Sequence, residues 1–245
     1  MGIVQGATEF LPVSSSGHLA LMSRICKLES SMYFDLILHL ASALAIVIVF
    51  WKDLVRILKN PFGEKGLMLI ISTVLSGVVV LFIKDFAESF FDGKALPVFF
   101  MLTAVLLTLG SKFNNRMQKS MTKMDAVIVG ISQGFAIFPG LSRSGVTTTT
   151  LSLLGIEREE GASYSFIMSL PLIVGSAVLG MGESESMSVS FLPLAVGFIT
   201  AFISGLIALY IVKGEFKKNN AKPFIIYLVL LSVIISINDL FLHIF

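Results

Sequence analysis

The chain has 245 residues but only 34 charged side chains, 18 basic and 16 acidic, where a soluble chain of this length carries roughly 60. With 55% hydrophobic residues and a mean hydropathy of +0.90, there is too little polar surface to clothe a water-soluble globule, which excludes a soluble enzyme and a disordered tail. The net charge of +2 implies no nucleic-acid partner, and the single Cys26 excludes an internal disulfide and a cysteine-based metal cluster.

What remains is an all-α polytopic membrane protein with the lipid bilayer as its surroundings. A spanning helix needs about 20 mostly apolar residues. Residues 2–26 open the chain as an apolar stretch broken in its middle by Ser, Gly and Pro. Spans are predicted at 33–51, 67–83 and 96–110, the third being short. Residues 126–155 form a second broken apolar stretch, and further spans are predicted at 162–182, 191–212 and 223–245. Pro97, Pro193 and Pro223 fall in first turns, where a missing N–H costs little. Pro171 falls mid-span and predicts a kink. The apolar runs are continuous and lack strand-like alternation, which argues against a barrel.

The connecting segments 52–66, 111–125 and 213–222 hold four Lys or Arg each, whereas 84–95 and 183–190 hold two and none. The positive-inside rule places the first set in the cytoplasm and the second outside. The N-terminus has no basic stretch ahead of an apolar core, so no cleavable signal is expected. The charge pattern stays consistent only if each broken segment leaves and returns on one side. Both therefore read as re-entrant helix-loop-helix hairpins, giving six transmembrane helices plus two hairpins. Non-helical backbone at that depth survives only where protein or a water-filled cavity surrounds it, so the breaks are the place to expect a site.

The two broken segments resemble each other. An offset of 128 pairs Gln5-Gly6 with Gln133-Gly134, Phe10 with Phe138, Ser14 with Ser142, Ser16 with Ser144, and Gly17 with Gly145. A two-residue slip then pairs Phe34-Asp35-Leu36-Ile37 with Tyr164-Ser165-Phe166-Ile167. Each half is one hairpin and three spans, and the odd number of spans makes this an inverted-topology repeat. The reading is one membrane domain, 1–245, with repeat 1 at 1–110, a cytoplasmic linker at 111–125 and repeat 2 at 126–245. Such folds place their sites near the midplane, where broken helices meet.

The first hairpin reads Gln5-Gly6-Ala7-Thr8-Glu9-Phe10-Leu11-Pro12-Val13-Ser14-Ser15-Ser16-Gly17-His18. The second reads Pro139-Gly140-Leu141-Ser142-Arg143-Ser144-Gly145-Val146-Thr147. In each, a Ser- and Gly-rich turn precedes a helical stretch, whose free N–H groups and positive dipole end suit an anion such as phosphate. Arg143 adds a planar fork for phosphate oxygens. Gln5, Ser14, Ser16, Gly17, Ser142, Ser144, Gly145 and Thr147 are the candidate substrate-binding residues. Gln5 and Glu9 share a helix face. Glu9 is a candidate general base or ligand of a divalent cation. A serine, His18 and Arg143 fit a nucleophile, base and charge stabiliser for phosphoryl transfer. An intramembrane Glu or Arg costs about 2.5–3.5 kcal/mol on insertion scales, which favours a functional role. Plainer roles also fit: a structural Glu9–Arg143 ion pair, helix capping by the serines, and a packing role for His18. Residues 147–150, all Thr, read as a run bonding backward to helix carbonyls. Asp35 and His39 share a face at the start of the first span, in a supporting or an interfacial role.

The two motifs resemble the signatures of the undecaprenyl-diphosphatase (bacitracin-resistance) family, and the likeness covers nearly the whole chain. It implies an integral cell-membrane enzyme, a phosphoric anhydride hydrolase. Such an enzyme removes one phosphate from a polyprenyl diphosphate and so recycles the lipid carrier of cell-envelope glycans. It also implies a divalent cation (Mg²⁺ or Ca²⁺), a site opening to the outer face, and catalytic roles for Glu9, Ser15 as nucleophile, His18 and Arg143. Whether the chain pairs as a homodimer stays open. The lead-in before Gln5 is shorter than is usual in the family. A different class is also compatible with an inverted repeat of broken helices, a transporter or flippase of a lipid phosphate or small anion by alternating access.

Overall fold

The computed structural model describes residues 1–28, 32–113, 119–183, 190–218, 220–242 and 244. Among them the chain is helical throughout. The order is α1 (Gly2–Phe10), α2 (Ser15–Cys26), α3 (Met32–Val49), α4 (Trp51–Lys59), α5 (Glu64–Glu88), α6 (Leu96–Phe113), α7 (Lys123–Gly134), α8 (Arg143–Leu153), α9 (Arg158–Glu183), α10 (Phe191–Lys218) and α11 (Lys222–Ile237). A single 3-10 turn, Phe135–Ile137, follows α7, and a π-helical turn, Asn238–Leu242, follows α11. Four helices, α5, α9, α10 and α11, are long and apolar enough to cross a membrane, or five if α3 and α4 count as one bent span. The apolar helix α6 is shorter, as its sequence suggests.

The outward faces match a lipid environment. Val74, Val78, Leu81 and Phe82 on α5 are exposed, as are Ile199, Ile203 and Ile207 on α10 and Ile226, Leu230, Val233 and Ile234 on α11. These positions recur at helical spacing, so they form continuous apolar stripes far larger than a soluble monomer leaves in water.

The helices differ from the expected span boundaries in two ways. Several helices run past the apolar stretch into charged residues: α5 includes Lys84, Asp85 and Glu88, and α10 extends to Lys218. Charge ends the hydrocarbon layer but not the helical hydrogen-bond ladder. The second difference is larger. The span expected at 33–51 stops at Val49, the chain bends by 81°, and the basic segment expected to be a loop forms α4. Helix α9 runs through Pro171 as one element. There the missing N–H removes the helical donor to Ile167.

Small residues decide how the two broken segments pack. On α1, a Cβ at Gly2 would collide with Thr200 and the Gly197 carbonyl, and one at Gly6 with the Ala201 carbonyl and Gly205. On α7, a Cβ at Gly130 would lie 2.6 Å from Ser72 Cα, and one at Gly134 would lie 2.5 Å from Val79. Thus α1 lies directly on α10 and α7 directly on α5, the close approach that small-xxx-small spacing permits. Gln133 donates to Ser76 Oγ at 3.1 Å, and Ser76 donates to the Gly130 carbonyl at 2.7 Å, fixing the α5–α7 register. Helices α2 and α8, which follow the breaks, are held by other partners. Thr149 of α8 donates to the Leu106 carbonyl of α6, and α2 meets the π-helical turn after α11 through an Arg24–Asp239 ion pair. Phe10 is fully buried and meets Phe166 edge-on at 5.8 Å, anchoring the end of α1 in the core.

The approach to α7 is tied down by Asp125. Thr122 and Asp125 form a reciprocal capping box, and Lys119 donates to both Asp125 oxygens at 3.0 Å. Lys119 also pairs with Ile156 in an isolated β-bridge, so the chain entering α7 and the chain leaving α8 meet at one place.

Candidate active site

The turns that join α1 to α2 and α7 to α8 touch. Ser14 sits at φ 70, a left-handed conformation unusual for a residue other than glycine. Its hydroxyl is the N-cap of α2, accepting from the Gly17 N–H at 3.3 Å, and also accepts from the Gly140 N–H at 3.1 Å. Ser142 caps α8 in the same way, accepting from the Gly145 N–H at 3.1 Å. Gly140, at φ +94, leaves no room opposite Gly17: a Cβ on Gly17 would approach the Gly140 nitrogen to 2.9 Å. Ser144 Oγ donates to the Leu11 carbonyl at 3.1 Å, and Thr103 Oγ1 of α6 donates to the Gly140 carbonyl while accepting from the Ser142 N–H, both at 3.1 Å. Every one of these bonds is buried or half-buried, so the two turns form one polar unit inside an apolar bundle.

At their junction lies Glu9, 6% exposed. One carboxylate oxygen, Oε1, pairs with Arg143 Nη2. The other accepts from Gln5 Nε2 at 2.9 Å and from Ser15 Oγ at 2.5 Å. The Gln5 bond spans one helical turn, as the i, i+4 spacing predicts. Arg143 Nη1 is buried and has no partner. An unpaired guanidinium N–H in such a place is costly unless something else accepts from it, and phosphate oxygens suit its planar fork. The N–H groups of Ser15, Ser16, Arg143 and Ser144 also have no acceptor among the described residues, and they belong to the first turns of α2 and α8. The arrangement offers four backbone donors, one guanidinium and a serine whose hydroxyl already points its proton at a carboxylate.

The repeat offset exposes a division of labour. Adding 128 to Ser15 gives Arg143, and adding it to Glu9 gives Ile137. Both hairpins supply a capped helix N-terminus, but the acid and serine come from one and the guanidinium from the other.

The structure brings Gln5, Glu9, Ser15 and Arg143 together and gives two other candidates, His18 and Thr147, different partners. The Ser15 hydroxyl bonds Glu9, and no hydrogen bond joins His18 to Ser15 among the described residues. The His18 Nδ1 lies 2.7 Å from the Ser14 carbonyl, which can only accept, so Nδ1 carries a proton, and its Nε2 bonds the Tyr227 hydroxyl 2.6 Å away. With both nitrogens committed and Tyr227 stacked at 5.6 Å, His18 is a positioning residue for the Ser14 turn. Thr147 is fully buried; its hydroxyl bonds the Arg143 carbonyl at 2.9 Å and Ser165 Oγ at 2.6 Å, so it packs α8 on α9 instead of meeting a ligand. Thr148 and Thr150 likewise bond backward, to the Ser144 and Val146 carbonyls. Arg143, Gln5 and Ser15 engage both Glu9 oxygens, and no group of three His, Cys, Asp or Glu among the described residues is placed to hold a metal ion, so a divalent cation at Glu9 would draw further ligands from phosphate oxygens.

Two contributors were not among the sequence candidates. Tyr227 arrives from α11, more than 200 residues away, and one tyrosine in an apolar span carries no signal. Thr103 is equally anonymous on α6. His39, for which the sequence left a supporting or an interfacial role, places Nε2 3.8 Å from Glu9 Oε2 while Nδ1 bonds the Asp35 carbonyl at 2.8 Å.

The model of the bacitracin resistance protein BacA family matches residues 1–234. The chain belongs to that family. Among similar proteins, one from Carboxydothermus hydrogenoformans is 36% identical over 97% of this chain and 94% of its own length. One from Thermotoga maritima is 38% identical over 96% of each, and one from Christiangramia forsetii is 41% identical over 93% of this chain and 91% of its own. All three bear the name undecaprenyl-diphosphatase.

Proposed function

We propose that this chain hydrolyses a polyprenyl diphosphate of the undecaprenyl type to the monophosphate and inorganic phosphate, recycling a lipid carrier for envelope glycans. The observation that carries the mechanism is the Ser15–Glu9–Arg143 constellation at the N-termini of α2 and α8. The substrate's tail gains about 0.8 kcal/mol per buried methylene and stays in the bilayer, so phosphate-binding groups have to lie among membrane helices, as these do.

Arg143 Nη1 and the free N–H groups of the two helix starts hold the diphosphate oxygens. Ser15 Oγ attacks the terminal phosphorus and gives its proton to Glu9 Oε2. The anhydride P–O bond breaks and its electron pair leaves with the prenyl monophosphate, which takes the proton from Glu9. Water then attacks the phosphoserine phosphorus, passing a proton to Glu9. Glu9 returns it to Ser15 as the serine P–O bond breaks and phosphate is released. Arg143 faces the charge that develops on the equatorial oxygens, a role preorganised by its bond to Glu9. Glu9 by itself is too small a ligand set to hold a divalent cation without further oxygens. The cation implied by resemblance is proposed only as a companion of the diphosphate's own oxygens, and no step is routed through it.

The proposal includes the full topology: six spans and two re-entrant hairpins in an inverted repeat, in the cell membrane, with the site open to the outer face. The exchange of partners supports this. Helix α1 runs along α10, the second span of the other half, and α7 runs along α5 in the corresponding way. The Lys119–Ile156 bridge fits a second hairpin that returns to its side of entry. Basic segments 52–66, 111–125 and 213–222 fall together on the cytoplasmic side of this topology.

The test is phosphate release from a detergent-solubilised prenyl diphosphate by wild type, Glu9→Ala and Arg143→Ala. Turnover by wild type and its collapse in both variants is expected; unchanged rates in both would refute the assignment.

A further inference from the structure

Helix α4 takes no part in this chemistry, yet its pattern is the most polarised in the chain. Placing its residues at 100° intervals sets Leu54 and Ile57 on one side, where both pack against the main core cluster. Trp51, Val55 and Leu58 fall on the adjoining face, with Trp51 59% and Leu58 74% exposed. Lys52, Arg56 and Lys59 fall on the next, and Asp53 lies beyond them. Phe62, just past the helix, is 77% exposed. Directly after an apolar helix the chain turns by 81°, so α4 runs almost at right angles to the span that delivers it. Water on one side of such a helix would meet Trp51, Leu58 and Phe62; continuation into the bilayer core would drag in three cations.

We infer that α4 lies in the plane of the membrane–water interface as an anchor for anionic lipid headgroups. Trp51, Val55 and Leu58 enter the acyl boundary, and Lys52, Arg56 and Lys59 meet the lipid phosphates. The geometry is that of an interfacial amphipathic helix, and tryptophan favours the headgroup level. Charge complementarity selects the lipid class: along α4 three cations stand against one acid, Asp53, which is paired with Arg56 at 3.1 Å, and Arg56 alone of the three also lines a cavity with Glu64, Glu157, Glu159 and Glu160. Lys52 and Lys59 are left to attract anionic headgroups.

Trp51 is the only tryptophan in the chain, so the unmodified protein reports on α4 directly. Wild type is reconstituted into phosphatidylcholine vesicles with or without phosphatidylglycerol, and Trp51 emission is quenched by lipids brominated near the headgroup or near the chain end, and by aqueous iodide. Shallow bromines are expected to quench most and iodide least, with brominated phosphatidylglycerol roughly twofold more effective than brominated phosphatidylcholine. The lipid preference is expected to vanish in a combined K52Q, R56Q and K59Q variant. Dominant quenching by iodide or by deep bromines would overturn the interfacial placement. Equal quenching by the two brominated headgroups in wild type would overturn the anionic-lipid assignment, whether or not the variant folds.

Discussion

Replacing Arg143 by lysine separates the two things that arginine does. In the structure Nη2 is committed to Glu9 and Nη1 is buried without a partner. Lysine can keep a cation beside Glu9, so the buried carboxylate is not abandoned, but its single ammonium cannot also reach as a second planar donor. The loss is then one charge-assisted hydrogen bond to the substrate, about 1.5–3 kcal/mol, which at about 1.36 kcal/mol per decade slows the reaction about 10- to 150-fold. Arg143→Ala is the less informative change, because removing one partner of a buried pair costs about 3–5 kcal/mol of stability by itself. The assay is the initial rate of phosphate release in detergent, compared at equal fractions folded. An Arg143→Lys enzyme within twofold of wild type would show that Nη1 holds no phosphate and that Arg143 serves only as the counter-ion of Glu9.

Other consequences follow from the same contacts. Glu9→Gln removes the acceptor of the Ser15 proton and is expected to lower kcat by about 10²- to 10⁴-fold, with KM changing far less. Thr147→Val keeps the shape of a side chain bonded to Ser165 and is expected to cost about 1–3 kcal/mol of stability with KM unchanged in thermal-melt and kinetic measurements; a raised KM would return Thr147 to the substrate. Burial pushes the Asp125 carboxyl up, but hydrogen bonds from Thr122 and Lys119 outweigh it and hold the pKa below the ordinary value. A lowered folded-state pKa contributes stability above the unfolded value and loses it as pH falls through the folded one. Acid titration of the melting midpoint should therefore show an extra decline that Asp125→Asn abolishes.

Much of the helical order was legible because lipid imposes a simple rule on sequence. Leu, Ile, Val and Phe runs betray α5, α9, α10 and α11, and Ser-Gly-Pro breaks betray the two hairpins. Helix α4 escaped because its five apolar residues alternate with Lys52, Arg56 and Lys59, and counting basic residues turns such a segment into a loop. The site was legible where its logic is local: Gln5 and Glu9 one turn apart, Ser14 and Ser142 at N-caps, Arg143 inside a turn. It was not legible where partners converge across the bundle. Nothing in the sequence near His18 predicts that Tyr227 occupies its Nε2, and proximity in sequence to Ser15 suggested a proton path that geometry gives to Glu9. Thr147 likewise sits within a motif, yet helical phase turns it toward Ser165 and away from the turns.

Trapping phosphate on Ser15 tests the central claim most directly. Wild type mixed with prenyl diphosphate labelled in its terminal phosphate and quenched with acid during turnover is predicted to carry label on the peptide containing Ser15, and Ser15→Ala none. Full turnover by Ser15→Ala, with no label on wild type at any quench time, would contradict the account.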